Sequence, residues 1–124
     1  MAFRNNLYYI DSVSRTDEGV IYTLHLNADH IIYKAHFPGE PITPGVCILQ
    51  MGLELLSDAV GVVLELVGVK NVKFLSILHP ENASVSVIVH RISIDNNMVK
   101  GQVDFSFKEV AIAKMSLICQ TIAK

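Results

Sequence analysis

The chain has 124 residues, about half of them apolar and 18% charged, with a formal charge of −2. That is enough for one domain with one core, and it excludes a disordered or tail-like protein, which lacks the apolar surface to offset chain entropy. The small net charge gives no strong field for nucleic acid or acidic lipid. The positive mean hydropathy raises the question of a membrane span. The richest stretch, Val60 to Val69, is interrupted by Glu65 and is too short to cross a bilayer. The first residues hold Arg4 and two tyrosines without a continuous apolar segment, so no signal peptide is expected and a cytoplasmic location is the default expectation. Cys47 and Cys119 are then expected to be buried free thiols. An apolar excess in so small a domain points to burial against a second copy, at least a dimer.

In chain order, Leu7–Val13 and Gly19–Leu26 read as two strands joined by a polar turn. In the second, Val20, Tyr22, Leu24 and Leu26 alternate with Ile21, Thr23 and His25. A long irregular segment, Asn27 to Thr43, follows, and loops of that length in compact domains tend to be functional. A helix then starts, with Thr43 expected as N-cap, Pro44 at the first helical position and Gly45 next. Val46 through Val60 is apolar almost all round, which places this helix centrally. Gln50, Glu54 and Asp58 are spaced four apart and share one side. They read equally well as a wetted stripe or as part of a site. Strands are expected at Val69–Leu78, Ala83–Ile94, Met98–Phe107 and Val110–Ile122. In the third, Val103, Phe105 and Phe107 alternate with Asp104 and Ser106. One apolar helix covered by a curved antiparallel sheet is the economical way to bury such a pattern, an α+β architecture.

The informative stretch is His36-Phe37-Pro38-Gly39-Glu40-Pro41-Ile42-Thr43-Pro44-Gly45-Val46. It resembles the 3-hydroxyacyl-acyl-carrier-protein dehydratases, which carry His-Phe-Pro-Gly-x-Pro-x-x-Pro-Gly-Val ahead of their central helix. Val72-Lys73-Phe74-Leu75 leading into Pro80 also falls in that family's order. The resemblance implies a hot-dog fold over residues 1–124, a curved antiparallel sheet around one long helix. It further implies elimination of water from a 3-hydroxyacyl thioester to give a trans-2-enoyl product. The substrate would ride on the phosphopantetheine of an acyl carrier protein, with no separate cofactor and no metal.

Such an elimination needs a base for the C2 proton, an acid for the C3 hydroxyl and a donor for the enolate-like oxygen. Imidazole suits the first, since its ordinary pKa of about 6.5 lies near working pH. A backbone N–H in the first turn of a helix suits the last. The resemblance therefore assigns His36 as base and the Gly45 N–H as oxyanion donor, with Pro38, Pro41 and Pro44 stiffening the loop. Phe37, Pro38, Gly39, Pro44 and Val46 are candidate substrate contacts. Phe74 and Leu75 are candidate linings of an acyl channel, with packing as the alternative for Phe37, Phe74 and Leu75. Family members place a carboxylate on the helix fourteen positions after the histidine; here that position is Gln50. An amide can donate a hydrogen bond but cannot deliver a proton. Many relatives carry glutamine one turn later, where this chain has Glu54, which raises the alternative hypothesis that the carboxylate has moved by one turn.

In the family the histidine of one subunit meets the helix residue of the other. The expected assembly is a homodimer or trimer of dimers, or a heteromer with an active homologue. His25, His30, His79 and His90 read as structural. No metal-ligand spacing, dinucleotide or phosphate loop, or serine-hydrolase elbow is present. The two rival readings are thioester hydrolysis and a degenerate acyl-binding subunit.

Overall fold

The computed structural model describes residues 2–35 and 39–122. The elements run β1 (Tyr8–Thr16), β2 (Gly19–Leu26), α1 (Ile31–Ala35), α2 (Gly45–Val60), β3 (Leu64–Phe74), β4 (Val85–Asp95), β5 (Met98–Phe107) and β6 (Val110–Thr121). All six strands join one antiparallel sheet in the order β1-β2-β4-β5-β6-β3. β3 therefore lies at an edge and pairs only with β6.

Alternation sets which face is buried. Val20, Tyr22, Leu24 and Leu26 point inward as the sequence predicts, and so do Val85, Val87 and Val89 of β4 and Val99, Val103 and Phe105 of β5. Met115, Leu117 and Cys119 of β6 complete that inner face. Against it α2 lays Cys47, Ile48, Met51, Leu55 and Leu56, an i, i+3/i+4 stripe that buries apolar surface on one side. The expected central helix and antiparallel sheet are thus present. The helix is not buried all round, however: Val46 is 76% exposed.

Several local expectations are corrected. The segment from Asn27 to Thr43 is not wholly irregular, because Ile31–Ala35 forms the short helix α1, with Tyr33 buried beneath it. Thr43 is not the N-cap. That position falls to Pro44, in extended conformation and without a side-chain cap, and Gly45 is the first helical residue. The Thr43 hydroxyl is buried and engaged instead by the Tyr33 hydroxyl at 2.8 Å. β1 extends three residues beyond Val13. β3 begins at Leu64 and ends at Phe74, whereas the sequence places a strand at Val69–Leu78. Its two register shifts, between Leu66 and Gly68 and between Lys70 and Lys73, break the alternation that would mark its limits in the sequence. Both cysteines are buried free thiols, as expected, and burial pushes the Cys119 thiol up to about 11.

Candidate active site

The region begins where the loop enters α2. Gly39, at φ 89°, turns the chain, and the Thr43 N–H donates to the Leu78 carbonyl at 3.0 Å. The next segment is pinned in turn, since Leu75 N–H donates to the Ile112 carbonyl at 2.7 Å. The entry to the helix is thus held from behind by the chain that leaves β3.

At the helix start, Cys47 and Ile48 N–H both donate to the Pro44 carbonyl. The Gly45 and Val46 N–H groups donate to no described residue. Two donors at the positive end of a helix are the arrangement that stabilises developing negative charge. The Phe74 ring lies directly over Gly45, where a Cβ would come within 2.9 Å of the ring. A side chain at position 45 would therefore push the ring away. Phe74 and Leu75 are each about half exposed, at 51% and 52%, so core packing does not account for them. With Val46 they form an apolar surface beside the free donors.

One turn further along, Gln50 Nε2 donates to Glu54 Oε2 at 2.9 Å. Glu54 is heavily engaged. Its carboxylate also accepts from Phe3 N–H and Arg4 N–H, each at 2.8 Å, and from the Tyr8 hydroxyl at 3.0 Å. Asp58 accepts from the Tyr22 hydroxyl at 2.6 Å and pairs with Arg4 at 2.8 Å. The stripe Gln50–Glu54–Asp58 is therefore neither simply wetted nor empty: it anchors the N-terminal segment to the helix. Burial opposes ionisation of Asp58, but the hydrogen bonds from Tyr22 and Arg4 outweigh it and hold the carboxyl below its ordinary range. Burial, reinforced by Glu54, drives the Tyr8 hydroxyl well above a free tyrosine's pKa, so it stays a donor.

Of the sequence-predicted residues, His36, Phe37 and Pro38 lie outside the described residues. Gly39, Pro44, Gly45 and Val46 share the loop–helix junction, Phe74 joins them there, and Gln50 and Glu54 touch one another. Sequence reasoning missed Arg4, Tyr8 and Tyr22 as partners of the stripe. Their spacing of about fifty and thirty-six positions leaves no local signal. His25 and His90 pair with Asp11 and Asp104, and His30 bonds Asn6. No group of three metal-ligating side chains occurs among the described residues, nor any helix long and apolar enough to cross a membrane.

Comparison with known proteins places this geometry in a family. A chain from the dehydratase heterocomplex ApeI:P of Xenorhabdus doucetiae is similar at TM-score 0.67 and 14% identity, covering 90% of this chain and 96% of that one. An uncharacterized protein from Erwinia carotovora subsp. atroseptica gives TM-score 0.66 and 17% identity, covering 94% and 95%. A hypothetical thioesterase from Streptococcus pneumoniae, solved with coenzyme A, gives TM-score 0.66 and 9% identity, covering 98% and 93%. These likenesses establish the hot-dog fold. No curated protein sequence matches the chain. A family model described as ApeI-like, ApeI dehydratase, matches residues 12–117. With most of its length inside that match, the chain belongs to the ApeI-like dehydratase family.

Proposed function

We propose that the protein eliminates water from a 3-hydroxyacyl thioester carried by an acyl carrier protein, in the cytoplasm, as a step of fatty-acid or polyene synthesis. The observation that carries this reading is the pair of N–H groups at Gly45, under the Phe74 ring, and Val46 that find no acceptor among the described residues, inside the match to a dehydratase family. The thioester oxygen would accept from the Gly45 N–H, which favours negative charge there as the C2 proton leaves. His36 takes that proton. The same imidazolium can return it to the C3 hydroxyl, so that water departs and the C2–C3 double bond forms without a carboxylic acid at position 50. Gln50 then serves as a hydrogen-bonding group, its amide oriented by Glu54. The four donors on Glu54 support a positioning role for it in place of an acid that moved by one turn.

The exposed Val67, Val69 and Phe74 of β3, with Leu75 and Ile77 beyond it, support an apolar interface with another subunit. A homodimer or trimer of dimers would cover it. Gln50, together with the heterocomplex in which the similar Xenorhabdus chain occurs, favours a second reading, a subunit that pairs with a carboxylate-bearing homologue.

The deciding experiment is enoyl formation from defined 3-hydroxyacyl carriers, followed by intact mass. The purified protein should form enoyl product, and His36→Ala should lower turnover by roughly 10²–10⁴-fold. Glu54→Gln should retain turnover within about tenfold, since the amide keeps most of the geometry but loses charge-assisted bonds. Absence of product from the pure chain, restored by adding an active homologue, selects the heteromer. Release of free thiol in place of enoyl product selects thioester hydrolysis.

A further inference from the structure

We propose that the outer face of the sheet, across β4, β5, β6 and β3, is a docking surface for an acidic protein, the carrier that delivers the thioester. The partner's identity rests on the dehydratase reading above; the surface itself does not.

Lys70 and Lys73 on β3, Arg91 on β4, Lys100 on β5 and Lys114 on β6 are all exposed. Half of the chain's ten lysines and arginines thus gather here, although the molecule as a whole is slightly acidic. Lys70, Arg91 and Lys100 line one shallow depression, Lys73 and Lys114 line a second, and Gln102 and Ser116 border both. Lys73 and Lys114 are direct cross-strand partners, so two like charges face each other on one surface. That arrangement is destabilising in isolation.

No direct ion pair relieves it. No ion pair among the described residues includes any of the five cations. Asp104 lies in register opposite Lys114, yet its carboxylate is taken by His90 at 2.9 Å and by Gln102 at 3.1 Å. Glu65 is engaged by Gln120. Two bulges flank the patch and aim its edges: Arg91 sits at φ 52° beside the irregularity in β4, and Asn71 at φ 58° inside that of β3. A bulky residue in left-handed conformation carries strain, and bulges that re-aim side chains are conserved devices near functional surfaces.

The size and chemistry favour a protein. Three strand spacings separate β4 from β3, about 15 Å, broader than a single phosphate. The patch is open, and its described outward positions carry no Phe, Tyr or Trp ring on which a base could stack, while the His90 imidazole is tied to Asp104. It also reaches the edge strand that borders the chemistry, where Lys73 on the outer face directly precedes Phe74, whose ring covers Gly45 on the other face. A carrier seated there could feed a flexible pantetheine arm towards the helix start.

The test measures binding of an acyl carrier protein bearing no acyl chain, by fluorescence anisotropy at low and physiological salt. The intact protein should bind, and more weakly as salt rises. Lys73→Gln combined with Lys114→Gln should weaken binding by roughly tenfold while leaving or raising Tm. Lys108→Glu, which reaches the same net charge away from the patch, should bind as the parent does. Equal weakening by both variants, no binding by the parent, or patch-dependent binding to phosphatidylglycerol vesicles in place of the carrier would each overturn the proposal. In turnover, the double variant should raise KM for the carrier-borne substrate and leave the pantetheine thioester of the same acid unchanged. Equal losses on both substrates also overturn it. If neither substrate turns over, the dehydratase reading fails, while the binding measurement still decides the surface.

Discussion

The two ends of α2 are built to opposite rules. At its C-terminal end the chain supplies partners. Gly61 adopts the left-handed conformation at φ 80°, its N–H caps the Ser57 carbonyl, and Arg15 reaches the Ala59 carbonyl. Asp58 is held there by Tyr22 and Arg4. At its N-terminal end no described side chain caps the helix, two N–H groups have no partner among the described residues, and apolar side chains stand exposed. Stability is concentrated at one end and unsatisfied capacity is left at the other, which is where a ligand's negative oxygen can be worth most.

Substitutions can break this contrast from either side. The largest effect is expected from Gly45→Ala. Its Cβ would displace the Phe74 ring, which is half exposed and can swing outward. Enoyl formation should fall about tenfold to hundredfold, while a urea titration should register a change within roughly 1.5 kcal/mol. A large loss of stability with intact turnover would reverse the roles assigned to the two ends. Tyr22→Phe probes the closed end. It removes the hydroxyl that bonds Asp58 and should lower unfolding free energy by about 1–3 kcal/mol, with kcat unchanged. The smallest effect is on pH dependence. The folded-state pKa of Asp58 is depressed, so the stabilisation it provides is present above the unfolded carboxyl value and is lost as pH falls through the lower folded value. Acid titrations followed by circular dichroism should show a shallower loss of stability for Asp58→Asn than for the parent in that range.

How far this contrast could be read from the sequence differs by end. The Pro44-Gly45 junction and the helix that follows are local features, written in adjacent residues, and they were legible apart from the exact cap. The closed end depends on Arg4, Arg15 and Tyr22, which reach the helix only through the tertiary fold. A four-residue spacing identified Gln50, Glu54 and Asp58 as one stripe, but it carried no sign of what would cover them. Likewise β5 was read to its true limits because its alternation is unbroken, whereas the bulges of β3 hid its beginning and end. The charge patch is invisible to net charge for the same reason: strand order brings Lys73 and Lys114 together, and no count of residues contains strand order.

The position of β3 has a further consequence for synthesis. It is made before β4, β5 and β6, yet among the described strands it pairs only with β6, the last of the six to be made. Until β6 emerges, the backbone edge and valines of β3 have no strand of this sheet to join, so the sheet closes only after β6 has been made. A transcript cut short before β6 would yield a chain with an orphaned, sticky strand, a natural target for chaperones and proteases.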